Sequence, residues 1–95
     1  MIVWDDAKDR RLVRDRGVSF EEIAELIMKR EVLAILKNPA RENQKVFVVS
    51  LRGYTYCVPF VEDAHGNIAL KTLYPSRKLH KRYGGTKGGK EPRPI

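Results

Sequence analysis

The sequence predicts a single α+β domain in which two helices come first and an antiparallel sheet follows. The chain has 95 residues, which is the size of one domain. Residues 5–28 carry helix-capping residues and a helical spacing of apolar side chains, whereas residues 31–74 are short apolar and β-branched segments separated by turns. The predicted order is β-α-α-β-β-β-β-α, with the helices on one face of the sheet and a short helix at the C-terminal end.

The N-terminal segment predicts an edge strand followed by a first helix. Residues 2–4 are apolar and too few for more than a short strand. Asp5 or Asp6 is suited to cap a helix over residues 7–16, because their carboxylates accept hydrogen bonds from free backbone N–H groups. Gly17 is expected to end this helix, since glycine adopts the left-handed conformation of the C′ position.

The second helix has the clearest local signals. Ser19 and Glu22 form an S-x-x-E capping box, and Val18 and Ile23 have the spacing of a hydrophobic staple. Apolar side chains then recur at helical intervals, which predicts one buried face. The residues on that face are Phe20, Ile23, Ala24, Ile27 and Met28.

Four strands are predicted after the helices, at residues 31–36, 46–51, 54–61 and 68–74. Arg52 and Gly53 form the tight turn of a hairpin between the second and third of these strands. Pro59 has no N–H to donate, so we expect an edge position or a bulge there. Strict alternation in the last strand places Leu70 and Leu73 on opposite faces. Ser76 is suited to cap a short helix over residues 77–83.

The net charge of +7 is concentrated at the C-terminal end. Residues 1–74 hold 12 Lys or Arg against 11 Asp or Glu, whereas residues 75–95 hold seven against Glu91 alone. A local basic field attracts polyanions, although it also occurs as a solvated basic segment. We place the domain at residues 1–83 and a flexible basic tail at residues 84–95, because its glycine- and lysine-rich sequence cannot build a core.

Several classes of protein are not indicated by the sequence. No apolar run reaches the roughly 18–20 residues that span a bilayer. The first residues lack a secretory signal, and the single cysteine, Cys57, suits a reducing compartment, so a cytoplasmic protein is expected. The adjacent carboxylates of Glu62 and Asp63 lack a third ligand, and phosphate-binding loops and zinc spacings are missing. The sequence therefore predicts neither a metal nor a cofactor.

Residues 76–83 are the strongest candidate for function, because four cations occur there in about two helical turns without an acid. These cations are Arg77, Lys78, Lys81 and Arg82. Cations at a helix N-terminus oppose the helix dipole, and a bound phosphate would reverse that penalty. Polyanion binding is the favoured interpretation, and neutralisation of acids on the first two helices is the alternative.

Other candidate residues are scattered. Lys71 in the last strand points either toward a bound RNA or into solvent, and Lys45 is a weaker candidate of the same kind. His80 lies one helical turn after Arg77 and is a candidate for proton transfer, as is Tyr83. Cys57 is interpreted as a small core residue.

Three segments resemble the BrnT-type toxins. Residues 3–8 (VWDDAK) and 16–22 (RGVSFEE) are similar to the start of that family, and residues 71–78 (KTLYPSRK) are similar to its last strand and the Ser-Arg-Lys segment after it. The resemblance covers residues 2–83. It implies a RelE-like microbial ribonuclease fold, metal-independent cleavage of RNA, and inhibition by a small ribbon-helix-helix antitoxin.

In the reaction implied by this resemblance, the RNA 2′-hydroxyl attacks the adjacent phosphate. Lys71 and Arg77 are then expected to stabilise the developing charge, and His80 or Tyr83 to transfer a proton. The residues expected to hold the RNA are Lys45, Lys78, Lys81 and Arg82. The alternative is a non-catalytic module whose basic C-terminal helix binds RNA or docks an antitoxin.

Overall fold

A computed structural model describes residues 1–84 of the chain, so the predicted basic tail lies outside the described residues except for Gly84. The elements are β1 (Ile2–Val3), α1 (Asp6–Arg16), α2 (Phe20–Met28), β2 (Ala34–Lys37), β3 (Lys45–Leu51), β4 (Tyr54–Glu62), β5 (Ile68–Leu70), β6 (Tyr74–Pro75) and α3 (Arg77–Tyr83). The predicted α+β class and the order of helices and strands are confirmed, with one strand more than expected.

The helix ends follow the local sequence signals. The Asp5 carboxylate caps α1, and the hydrogen bonds it accepts from the backbone N–H groups of Lys8 and Ala7 lower the pKa of Asp5 below its usual value. Gly17 ends α1 with φ of 68°, in the left-handed region. Ser19 and Glu22 form both arms of the predicted capping box.

The sheet is mixed rather than wholly antiparallel. Its order is β1-β5-β4-β3-β2, and β6 also pairs with β4. The pair formed by β1 and β5 is parallel, which corrects the predicted all-antiparallel sheet, and the other pairs are antiparallel. β1 lies at one edge as predicted, and β2 forms the opposite edge.

The β3–β4 hairpin turns at Arg52 and Gly53, whose φ values of 52° and 78° are both left-handed. A two-residue turn in which both residues have a positive φ has a twist that matches the right-handed twist of the flanking strands. The predicted tight hairpin is therefore confirmed. The Arg52 guanidinium lies 2.7 Å from a carboxylate oxygen of Glu22. The tip of the hairpin is thereby tied to the start of α2.

The predicted last strand is divided in two by a one-residue bulge. Phe60 of β4 pairs with Leu70, but Cys57 pairs with Tyr74, so three steps along β4 oppose four steps along the last strand. Pro59 lies between these pairs and accepts a hydrogen bond from Lys71 N–H at 2.9 Å. The N–H and C=O of a strand residue point to the same side, and the Pro59 C=O points toward the last strand. An N–H at this position would have pointed the same way, toward β5 and β6 and not toward β3.

One expectation about this region is confirmed and one is corrected. Of the two alternatives expected at Pro59, an edge position or a bulge, the structure has the bulge, with Pro59 in β4 between β3 and the last strand. Leu70 and Leu73 are 3% and 1% exposed in the same core cluster, so the prediction that they lie on opposite faces is wrong. The extra residue in the bulge breaks the alternation on which that prediction depended.

The main core lies between the sheet and the first two helices. Phe20 and Ile23 of α2 are fully buried against this face, and the rings of Phe47 and Phe60 stack at 3.9 Å. Met28 is 77% exposed, contrary to the predicted buried face, because α2 ends at that residue and the chain turns away toward β2.

The short C-terminal helix covers the opposite face of the sheet. Thr55, Val48 and Cys57 alternate along their strands with the residues of the main core, and all three are buried. The Thr55 hydroxyl is hydrogen-bonded to His80 of α3 at 3.0 Å, which places α3 over these residues. α3 therefore lies on the face opposite to the two N-terminal helices, and the sequence had not predicted which face it covers.

Candidate nucleic-acid interface

The basic segment forms a short helix that begins directly after β6. The Ser76 hydroxyl accepts a hydrogen bond from Leu79 N–H at 3.2 Å, as expected of a helix cap. The Ser76 N–H donates to the Thr55 carbonyl at 3.0 Å, which fixes the start of α3 to the sheet. The side chains of α3 that are exposed are those of Arg77, Lys78, Lys81 and Arg82.

A groove of about 440 Å³ runs between α3 and the end of the β2–β3 hairpin, and we call it the α3 groove. Its polar lining includes Lys37 of β2, Tyr74 and Ser76, and the cations Lys78 and Arg82 of α3. None of the described residues that line it is acidic. Lys78 and Arg82 on α3 and Lys37 at the end of β2, with no carboxylate in the described lining, give the α3 groove a positive local field, which favours a polyanion as its ligand.

The floor of the α3 groove carries a phenol and a thiol that interact with each other. Burial raises the pKa of the Cys57 thiol, although hydrogen bonds from Ser76 and Tyr74 partly oppose this effect. Burial, followed by the charge of an ionised Cys57 and the hydrogen bond to it, raises the pKa of Tyr74. Tyr74 is 42% exposed, so a protonated phenol is available to a ligand in the α3 groove.

His80 is held against the sheet rather than in the α3 groove. Its ring stacks on Tyr54, with centroids 4.1 Å apart, and its Nδ1 is 3.0 Å from the Thr55 hydroxyl, which is fully buried. A Cβ at Gly84 would lie 2.4 Å from His80 Nδ1, so the ring is also enclosed from the helix end. These contacts anchor α3 to β4, and the catalytic role of His80 stays a prediction.

The cations of α3 form two pairs with different surroundings. Lys78 and Arg82 are four residues apart, which places them on one side of the helix, and both line the α3 groove. Arg77 and Lys81 form the next such pair and are not part of that lining. The Arg82 guanidinium lies 5.6 Å from the centre of the Tyr83 ring.

Lys71 lies in a different depression, of about 280 Å³, beside the start of α1. Trp4, Asp5 and Lys8 line the same depression. The Lys8 ammonium donates to the Lys71 carbonyl at 2.7 Å. The structure therefore joins Lys71 to the N-terminal segment and not to the groove formed by α3.

Lys45 is close to acidic residues. It lines a depression of about 210 Å³ together with Glu62 and Asp63. Carboxylates beside an ammonium reduce the local positive field. Lys45 therefore has weaker electrostatic support as an RNA contact than the cations of the α3 groove.

Sequence reasoning missed Lys37 and gave Tyr74 no role. Lys37 pairs with Lys45 across the β2–β3 hairpin, and Asn38 after it is tied to Gln44 through both backbone and side chain. The sequence predicted that this strand ends at residue 36, whereas β2 ends at Lys37, and the sequence did not show which face of the sheet α3 covers. Both facts are needed to locate Lys37 beside α3. A sequence search for cations at the end of a strand would have found Lys37 but not its position.

Two properties of residues 1–84 complete the description of the site. Their helices are too short and too polar to cross a bilayer. Over the same residues, no three side chains of His, Cys, Asp or Glu come together as a metal site requires.

One solved structure shares this architecture: the 1.1 Å crystal structure of the Brucella abortus ribonuclease toxin BrnT. The match covers 79% of this chain and 94% of that chain, with a TM-score of 0.58 and 14% identity. This chain has the BrnT fold. No protein-family model matches the chain, and no curated protein sequence does either.

The BrnT fold confirms the sequence resemblance at the level of architecture. The resemblance was based on residues 3–8, 16–22 and 71–78. In the structure, the first and last of these segments meet where Lys8 contacts Lys71. At 14% identity the comparison establishes the BrnT fold, and the site has to be argued from the residues of this chain.

Proposed function

We propose that this chain is the toxin of a toxin–antitoxin pair and cleaves RNA without a metal ion, through attack of a 2′-hydroxyl on the adjacent phosphate. The observation that carries the proposal is the α3 groove, in which Lys37, Lys78 and Arg82 meet without an acidic neighbour in the described lining. The fold shared with a ribonuclease toxin supports the same class of activity.

Binding of the RNA backbone follows from the charge of the α3 groove. The Arg82 guanidinium offers a planar pair of N–H donors that matches two phosphate oxygens, whereas Lys37 and Lys78 act as point charges. Lys78 and Arg82 project from consecutive turns of α3, so neighbouring phosphates of one strand have separate partners.

The cleavage step needs charge stabilisation and two proton transfers. The 2′-oxygen bonds to phosphorus, the bond from phosphorus to the 5′-oxygen breaks, and the products are a 2′,3′-cyclic phosphate and a 5′-hydroxyl. Water in the open α3 groove accepts the proton of the 2′-hydroxyl, and Lys78 and Arg82 stabilise the added negative charge. The phenol of Tyr74 supplies a proton to the leaving oxygen and is then reprotonated from water. Tyr74 fits this role because it is 42% exposed and lines the α3 groove together with Lys78 and Arg82.

The roles predicted from the sequence for residues outside the α3 groove form the alternative to this assignment. They are charge stabilisation by Lys71 and Arg77 and proton transfer by His80 or Tyr83. RNA contacts by Lys45 and Lys81 belong to the same alternative. A small ribbon-helix-helix antitoxin is proposed from the family resemblance, and a cytoplasmic location from the single cysteine, Cys57.

Cleavage of a labelled single-stranded RNA by the purified chain tests the proposal. We expect products with cyclic phosphate ends both with and without EDTA. Tyr74→Phe should reduce the rate by about 10²–10⁴-fold while RNA binding stays within twofold of wild type, because it removes only the donor. Tyr54→Phe is the matched control, since it removes a phenol outside the α3 groove. Intact RNA under all conditions would overturn the proposal.

A second candidate function is RNA binding without cleavage. The observation that favours it is the fixed position of His80, whose ring is engaged by Thr55 and Tyr54 and thereby serves to anchor α3. Binding of RNA that weakens with salt, together with intact RNA after long incubation, would select this candidate.

A further inference from the structure

β2 presents a row of backbone groups that face away from the sheet. Among the described strands, β2 pairs with β3 alone, and Asn38 N–H bonds to the Gln44 carbonyl at the end of this ladder. Hydrogen-bonded and non-bonded pairs alternate in an antiparallel ladder, so Leu36 is bonded to β3. The N–H and C=O groups of Ile35 and Lys37 therefore point away from β3.

The same edge exposes apolar side chains. Ile35 is 59% exposed, and Leu33, just before β2, is 39% exposed. Met28, at the end of the helix that leads to β2, is 77% exposed. Exposed apolar residues beside free backbone donors and acceptors are the features that allow another strand to be added to a sheet.

The charges around β2 indicate the chemistry of the added strand. Lys37 is exposed on β2, and Lys29 and Arg30 are exposed in the segment before it, where Glu31 is the acid. A second copy of this chain would bring its own Lys29, Arg30 and Lys37 to the same edge. Charge complementarity therefore favours an acidic occupant over a second copy.

We propose that β2 is a docking edge for an extended acidic segment of a partner protein. The segment pairs with the backbone of Ile35 and Lys37 as an additional strand, places apolar side chains on Ile35 and Leu33, and places carboxylates near Lys37. Because Lys37 also lines the α3 groove, the docked segment competes with RNA, and this consequence rests on the proposed function.

A labelled eight-residue peptide of four valines followed by four glutamates, with a counterpart in which lysines replace the glutamates, tests the docking directly. Ile35 and Lys37 lie on one face of β2, so the added strand needs a valine and a glutamate on the same face. Ile35→Pro removes an outward N–H without removing a hydrogen bond to β3, and Ile35→Val is its matched control. We expect the acidic peptide to bind about tenfold more weakly to Ile35→Pro and to Lys37→Glu, and within about twofold of wild type to Ile35→Val and to Arg10→Glu on α1.

Amide hydrogen exchange on the wild-type chain gives an independent measurement. The amide protons of Ile35 and Lys37 should exchange more slowly with the acidic peptide bound, because they become donors to the added strand. This readout does not depend on whether Ile35→Pro folds, and circular dichroism of that variant checks its fold.

Three results would overturn the docking proposal. They are equal binding of the acidic and basic peptides, unchanged exchange at Ile35 and Lys37, and sedimentation of the wild-type chain as a dimer that Ile35→Pro converts to a monomer. The last result would assign the edge to a second copy. A peptide that binds at β2 without displacing RNA would leave the docking intact and would count against RNA in the α3 groove.

Discussion

The salt dependence of RNA binding distinguishes the two pairs of cations on α3. Binding to single-stranded RNA weakens with a slope of about −0.7 per phosphate contact when log K is plotted against log salt. Three contacts from Lys37, Lys78 and Arg82 give a slope of about −2, so affinity should fall about 20-fold between 50 and 200 mM salt. The double variant Lys78→Ala with Arg82→Ala keeps one contact and should lose only about threefold.

The control for this prediction is Arg77→Ala with Lys81→Ala. It removes the same charge from the same helix with the same spacing, but from positions outside the lining of the α3 groove. We expect it to retain a slope near that of the wild type. Fluorescence anisotropy with a 2′-O-methylated RNA strand measures binding alone, since the reacting hydroxyl is blocked.

The prediction fails if the control variant flattens the slope as much as the groove variant does. That result would place the phosphates on the side of Arg77 and Lys81 as well as in the α3 groove. An unchanged slope in both variants would move the contacts away from α3. The depression that holds Lys8 and Lys71 would then be the next site to test.

Three further predictions concern stability. Phe20→Ala should lower the free energy of unfolding by about 3–5 kcal/mol, measured by urea titration, because a fully buried ring is lost from the core. The pKa values of Cys57 and Tyr74 are higher in the folded chain than in the unfolded chain, so the free energy of unfolding should fall as pH rises above 9.0. Cys57→Ala should reduce that fall, as measured by urea midpoints over a series of pH values. Gly84→Ala should lower the melting temperature, because its Cβ would lie 2.4 Å from His80 Nδ1; an unchanged value would contradict the close packing.

Features that depend on a few neighbouring residues could be predicted from the sequence. The caps at Asp5 and Ser19, the helix end at Gly17 and the turn at Arg52 and Gly53 each follow from hydrogen bonds or φ angles within one short segment. Their physical causes are local, and the structure confirms them.

Features that depend on how strands meet could not be predicted in the same way. The sequence identifies Pro59 as a residue without an N–H, but not the neighbouring strand toward which that missing donor points. Lys37 borders the α3 groove because β2 ends beside it, although its pairing with Lys45 places it in register with Phe60 of the main core. The candidate site could thus be predicted on the helix but not on the strands that complete it.

The bulge opposite Pro59 decides which side of the sheet receives the end of the chain. In an uninterrupted ladder Tyr74 would oppose Tyr56 and point toward the main core; with one additional residue it opposes Cys57 and points toward α3. The side that bears the phenol and the basic helix is therefore fixed by the bulge between Leu70 and Tyr74. Removal of Thr72 alone would make the ladder regular and leave Tyr74 opposite Cys57, whereas a regular ladder formed by the full sequence would turn Tyr74 and the start of α3 to the other face.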